Sequence, residues 1–125
     1  SPAYFKGMRI YDILDVVACA DLVQSRADAR AAEFGVYACK SDEELLAMPD
    51  IEIVVNITWP KAHTEVDLMA IAAGKNVHSE KPFATNRADL FRRFAPPRHC
   101  GEERRGEPGG ERLAVAARVE EELRL

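Results

Sequence analysis

The chain has no C-x-x-C pair, no metal-ligand spacing among its histidines, and no apolar run long enough to span a membrane. Each absence removes a class of protein. Three scattered cysteines, Cys19, Cys39 and Cys100, give an odd count, which argues against a disulfide framework and fits a reducing cytoplasm. His63, His78 and His99 match no zinc pattern, so no metal site is expected. A membrane helix needs about 18 consecutive apolar residues, and nothing here approaches that. No charged start followed by an apolar block opens the chain, so no signal peptide is expected. The formal net charge is -4 and the basic residues form no stripe, which disfavours nucleic acid as a partner.

What is present suits a single domain. The 125 residues are 47% hydrophobic, enough to build a core and too many for wholesale disorder. Residues 2–12 read as the end of a helix, with Tyr4, Phe5, Met8 and Tyr11 at helical spacing. Residues 16–20 form a short apolar run, stopped by Asp21, whose length favours a buried strand. Residues 22–34 read as a helix that Gly35 stops, and residues 36–38 as a short strand. Ser41 and Glu44 have the spacing of a capping box ahead of a helix through Met48. Residues 51–57 contain a second buried-strand run. Pro60 fits the first turn of a helix that continues to Ala73, where Gly74 ends it. Residues 76–78 are a third strand candidate, and Pro82 prevents its continuation. Strands alternating with helices, without strict polar alternation, indicate a parallel sheet covered on both faces. The fold class is α/β, a Rossmann-like doubly wound sheet.

The composition changes near Asn86. All five lysines lie at or before Lys81, whereas residues 87–125 carry nine arginines and no lysine. Two units are expected on this basis: residues 1–89, and a divergent, irregular tail over residues 90–125. GC-rich DNA translated out of frame yields such a tail. The alternative is a genuine tail with a short helix over residues 111–123.

Three strand ends carry the candidate chemistry. Asp21 directly follows a buried strand, where an acid can accept from both adenosine ribose hydroxyls and repel a 2′-phosphate, favouring NAD over NADP. It can equally cap the helix that follows. Thr58, Trp59, Pro60 and His63 follow the second buried run, where a hydroxyl and helix-start amides can cradle an anionic or ribosyl group. Ordinary capping and surface hydrogen bonding explain them as well, and Trp59 either covers a cofactor ring or packs under the sheet edge. Glu80, Lys81 and Pro82 end the third run. A lysine there can donate to a substrate hydroxyl or stabilise oxyanion charge, or the tripeptide is a solvated turn. No G-x-G-x-x-G occurs anywhere, yet Asp21 lies where an acid belongs if that loop ended just before Ser1. The chain is therefore expected to begin inside the first crossover helix, with its first strand and glycine loop absent.

The segments Ala18-Cys19-Ala20-Asp21, Glu33-Phe34-Gly35-Val36, Asn56-Ile57-Thr58 with Ala62-His63, and Ala73 through Pro82 resemble the Gfo/Idh/MocA oxidoreductases over roughly residues 2–89. The A-G-K-x-V-x-x-E-K-P segment is the most specific of these marks. The resemblance implies a two-domain NAD(P) enzyme acting on a sugar or polyol. Its second, mainly antiparallel domain binds substrate and often mediates homo-oligomerisation. By the same resemblance Asp21 holds the adenosine ribose, and Thr58, Pro60 and His63 line the cofactor loop. Glu80, Lys81 and Pro82 form the E-K-P motif, with Lys81 as the catalytic residue near nicotinamide and substrate. Hydride passes between a substrate carbon and nicotinamide C4. The family's catalytic histidine belongs to the second domain, so no residue here is assigned as base, and the chain alone is expected to be inactive. Two other readings stand beside this one. A methyltransferase also places an acid after its second strand, although the E-K-P segment argues against it. The chain can also be a catalytically inactive fragment that works as an interaction module.

Overall fold

A computed structural model describes residues 2–94 and 113–119 of the chain, with side-chain surroundings given for 115–118 of the last segment. Helix α1 (Pro2–Met8) leads into strand β1 (Leu14–Ala20), helix α2 (Gln24–Phe34) and the two-residue strand β2 (Tyr37–Ala38). Helix α3 (Asp42–Ala47), strand β3 (Ile53–Ile57), helix α4 (Pro60–Ala72) and strand β4 (Asn76–Ser79) follow. Helix α5 (Arg87–Phe94) and strand β5 (Leu113–Val119) complete the order. All pairings are parallel, and the sheet runs β2-β1-β5-β3-β4.

Local chemistry sets the boundaries. Gly35 takes φ 64° and Gly74 φ 76°, and each ends a helix by the left-handed turn that glycine adopts without steric cost. Val36 N donates to Ala31 O at 3.1 Å, and Lys75 N donates to Ala70 O at 3.0 Å, closing the two caps. Pro60 occupies the first turn of α4, where its missing donor costs nothing. Ser41 Oγ accepts from Glu44 N at 3.1 Å, as the capping box requires. The reciprocal bond lands one residue earlier: the Glu44 carboxylate accepts from Lys40 N at 2.5 Å and from the Tyr37 hydroxyl at 2.8 Å.

Two apolar layers sandwich the sheet. On one face Phe5, Met8 and Phe34 pack on Val16, Cys19, Val55, Ile57, Val115 and Ala117, with the Phe5 and Phe34 rings stacked at 4.8 Å. On the other, Leu45, Ile51 and Ala70 pack on Ala18, Ala20, Val54 and Ala116. Val16 and Cys19 share a face because the β1–β5 register shifts between Val16 and Ala18, a local irregularity that reverses the alternation. Burial on both faces explains why β1 and β3 carry runs rather than alternating residues.

The central strand is the largest departure from the sequence reading. The sequence reading takes residues 90–125 as a divergent, irregular tail and assigns no strand between β1 and β3. Instead β5 inserts between them, Val115 opposite both Val16 and Ile53, and Ala117 opposite Cys19 and Val55. The helix read over residues 111–123 gives way to strand over 113–119. The physical reason is the open edge: β1 and β3 each offer unpaired amides and carbonyls, and Leu-Ala-Val-Ala-Ala-Arg-Val is apolar enough to satisfy both. Its alanines also let the helical layers approach closely. Arg118 is the exception, buried and ion-paired with Asp42 at the start of α3.

Candidate functional site

In a doubly wound sheet the ligand crevice lies at the carboxyl ends of the strands, where the order reverses. Three of the sequence-derived groups stand there, after β1, β3 and β4. Asp21 follows β1 and is 7% exposed. Its Oδ1 accepts from Val23 N at 2.8 Å, so the carboxylate supports the start of α2, where no side chain caps directly. Its Oδ2 is buried without a hydrogen-bond partner. One oxygen thus holds the turn, in keeping with the capping reading of Asp21, while the other meets no donor among the described residues.

Thr58 ends β3, and its position depends on Asn56, which is fully buried within the strand. Asn56 Oδ1 accepts from Thr58 N at 3.2 Å and from Thr58 Oγ1 at 2.7 Å. Asn56 Nδ2 donates to His63 O at 3.0 Å and to Asp67 Oδ1 at 2.6 Å. His63 is 0% exposed, and its ring bridges two loops: Nε2 lies 2.7 Å from Thr58 O, and Nδ1 lies 2.9 Å from Pro82 O. Both neighbours are acceptors. Which ring nitrogen donates to its carbonyl depends on the tautomer. Thr58, His63 and Pro82 are therefore physically tied, although His63 faces protein carbonyls on both sides. Trp59, at the N-cap of α4, is partly exposed.

Glu80 is held through both its carboxylate and its backbone amide. Its carboxylate accepts from the Tyr4 hydroxyl and, at 2.9 Å, from Lys81 N, while Glu80 N donates to Asn56 O at 3.0 Å. The hydrogen bond from Tyr4, followed by that from the Lys81 amide, lowers the Glu80 carboxyl below its ordinary range. The same bond, with burial and the carboxylate charge, pushes the Tyr4 phenol up to about 12. Lys81 is exposed, and the Lys81–Pro82 peptide is cis. Cys19 and Cys39 are buried and belong to the core. Burial, first among the causes, raises each thiol to about 11.

The sequence reading assigned no site role to Asp67 or Arg93, and took Tyr4 only as a residue of the first helix. Asp67 lies four residues after His63, one turn on along α4, and that spacing was the available signal. Asp67 is 1% exposed in its side chain and ion-paired with Arg93, whose side chain is 4% exposed. The Arg93 guanidinium also lies 3.5 Å from the Phe83 ring centroid, tying α5 to the turn after Pro82. An open apolar hollow of about 370 Å³ lies along α1, lined by Ala3, Tyr4, Gly7, Met8, Tyr11 and Leu14, and none of the expected cofactor residues borders it.

Comparison with known proteins bears on this arrangement. Residues 4–95 match the family described as "Oxidoreductase family, NAD-binding Rossmann fold". The chain is 42% identical over 79 residues to an inositol 2-dehydrogenase of Gluconacetobacter diazotrophicus, covering 62% of this chain and 23% of that protein. It is 33% identical over 84 residues to inositol 2-dehydrogenase 3 of Saccharopolyspora erythraea, covering 67% and 25%. It is 38% identical over 79 residues to an inositol 2-dehydrogenase/D-chiro-inositol 3-dehydrogenase of Shouchella clausii, covering 63% and 22%. The match thus spans about a quarter of the length of these relatives. With the parallel sheet and the E-K-P segment, the match over residues 4–95 shows that the chain belongs to the Gfo/Idh/MocA oxidoreductase family, in its NAD-binding Rossmann part.

Proposed function

We propose that the chain is the dinucleotide-binding part of an oxidoreductase acting on a polyol or sugar, that it prefers NAD to NADP, and that alone it does not turn over substrate. The observation that carries the cofactor reading is the divided carboxylate of Asp21: one oxygen holds Val23 N and the other is buried without a partner. A buried acceptor left open at a strand's carboxyl end suits the paired hydroxyls of a ribose, and its charge opposes a 2′-phosphate. The polyol reading draws on the inositol dehydrogenases among the relatives. Family membership separates the chain from the methyltransferase reading of Asp21.

In this proposal Asp21 holds the adenosine ribose, and Thr58, Pro60 and His63 shape the loop after β3. Glu80 and Pro82 fix the turn that carries Lys81, the one exposed cation of the E-K-P segment and the candidate catalytic residue. NAD, when bound, supplies the hydride acceptor. Lys81 donates a hydrogen bond to the substrate oxygen and stabilises charge developing there. Residues 1–89 supply these groups, and β5 holds β1 and β3 together from the centre of the sheet.

One part of the fit is poor. No glycine-rich phosphate loop occurs in the sequence, and β5, in the central place, is followed directly by Glu120, Glu121 and Glu122. Without the glycine-rich turn that lets a pyrophosphate approach a helix start, a large share of cofactor affinity is lost. Affinity in the range of millimolar, about -4 kcal/mol, is expected for the 125-residue chain. A backbone-amide NMR titration with NAD tests the reading. Saturable shifts at Asp21, Thr58 and Lys81 are expected. Shifts confined to other elements, or a micromolar dissociation constant, would contradict it.

A further inference from the structure

We propose that Asn56, Asp67 and Arg93 are positioning residues that fix the Thr58 hydroxyl as a hydrogen-bond acceptor toward the bound dinucleotide, which Thr58 meets through a ligand O–H or N–H group. This rests on the cofactor reading above and assigns a role to three buried side chains that it does not use.

The polarity follows from what each group is able to do. Asp67 is a carboxylate charge-paired with Arg93, so its Oδ1 accepts from Asn56 Nδ2 at 2.6 Å. The His63 carbonyl, 3.0 Å from the same nitrogen, also only accepts. Two acceptors on one side fix the amide orientation, and Asn56 Oδ1 is turned to Thr58. That oxygen cannot donate. The 2.7 Å contact therefore requires the Thr58 hydroxyl to give up its one hydrogen to Asn56. What remains on Thr58 Oγ1 is lone pairs. A ligand acceptor placed against it meets repulsion, whereas a ribose hydroxyl or a carboxamide N–H finds a partner.

Arg93 anchors the chain of bonds. It is paired with the second oxygen of Asp67, lies 3.5 Å from the Phe83 centroid, and arises from α5 rather than from the strand-end loops. Its Nη1 is buried without a partner, so the guanidinium is held by Asp67 and the ring rather than by solvent. Asn56, Thr58, His63 and Asp67 are all buried, which strengthens each bond and penalises any member left unpaired.

The test uses the full chain as wild type, Asp67→Asn, Thr58→Val and the double variant, with Arg93→Gln as a second route should Asp67→Asn fail to fold. Without ligand, hydrogen exchange of the Asn56 carboxamide is expected to be about 100-fold slower than that of exposed asparagines. Asp67→Asn should speed it at least about tenfold, and Arg93→Gln by less. Equal exchange in wild type and in the folded variants would overturn the relay. With NAD as probe, Asp67→Asn should weaken binding by about tenfold in the wild-type background and by less than about twofold beside Thr58→Val. Equal, additive losses would show a merely structural role and overturn the positioning assignment. A wild type in which NAD moves no amide at all would overturn the cofactor reading, and the ligand half of this proposal with it, while the exchange data still judge the relay. ADP-ribose, run in parallel, separates the donors: a retained coupling identifies a ribose hydroxyl, and a lost one the nicotinamide carboxamide.

Discussion

Tyr4 and Glu80 share one hydrogen bond, and it couples the first helix to the turn that presents Lys81. The phenol is pushed up to about 12 and the carboxyl is lowered, both mainly through that bond. The signs define a window. A carboxyl with a depressed value contributes stability that is present above its unfolded value, about 4.3, and is lost as pH falls through the folded value. A phenol with a raised value contributes stability that is complete below about 10 and is lost as pH climbs through the folded value. Tyrosine absorbance at 295 nm should therefore show one group titrating near 12. That group should return toward about 10 in Glu80→Gln and be missing from Tyr4→Phe. A titration identical in wild type and Glu80→Gln would show that the pair does not form. For Lys81, in an enzyme joined to its substrate domain, Lys81→Ala should lower kcat by about 100-fold or more. The melting temperature should stay unchanged, because the side chain is exposed. Undiminished turnover would make Lys81 a solvated turn residue.

At the scale of elements, the parts set by local chemistry were legible in the sequence. Gly35, Gly74, Pro60 and the Ser41–Glu44 spacing act within a few residues, and each marks a boundary the structure shows within about two residues, the usual scatter of helix ends. The runs around Val16 and Ile53 announce strands buried on both faces. Two things were not legible. The polar network was hidden because Asn56, Asp67 and Arg93 come from a strand and two helices, and one sequence does not show which polar residues meet. The fate of residues 113–119 was hidden because an alanine-rich stretch suits a helix by propensity, and only the edges of β1 and β3 decide for strand. The helix caps permit a clean test. A Cβ at Gly35 meets nothing within 4 Å, so Gly35→Ala carries only the backbone cost of the left-handed conformation. A loss of about 1–2 kcal/mol in denaturant unfolding is expected. No loss would place Gly35 outside that conformation.

At the scale of the whole molecule, β5 closes the sheet, and the two apolar layers depend on it. Ala116 is fully buried against the α3–α4 layer, and Val115 and Ala117 against the α1–α2 layer. Ala116→Asp places an uncompensated charge there, at a cost of several kcal/mol. That cost is comparable to the whole stability of a small domain, about 5–15 kcal/mol. Its cooperative thermal transition should vanish, while Ala116→Ser should retain it. An unchanged transition in Ala116→Asp would mean that β5 does not lie between β1 and β3.

The family's NAD-binding part is here built around β5 as its central strand, and in the proposed function Asp21 is the group that reads the cofactor. Dissociation constants for NAD and NADP, measured on wild type and Asp21→Ser, test this most directly. Wild type should bind NAD more tightly, by about tenfold or 1.4 kcal/mol, and the serine variant should lose that preference. A wild type that favours NADP, with no change on substitution, would contradict the assignment of Asp21 to the ribose.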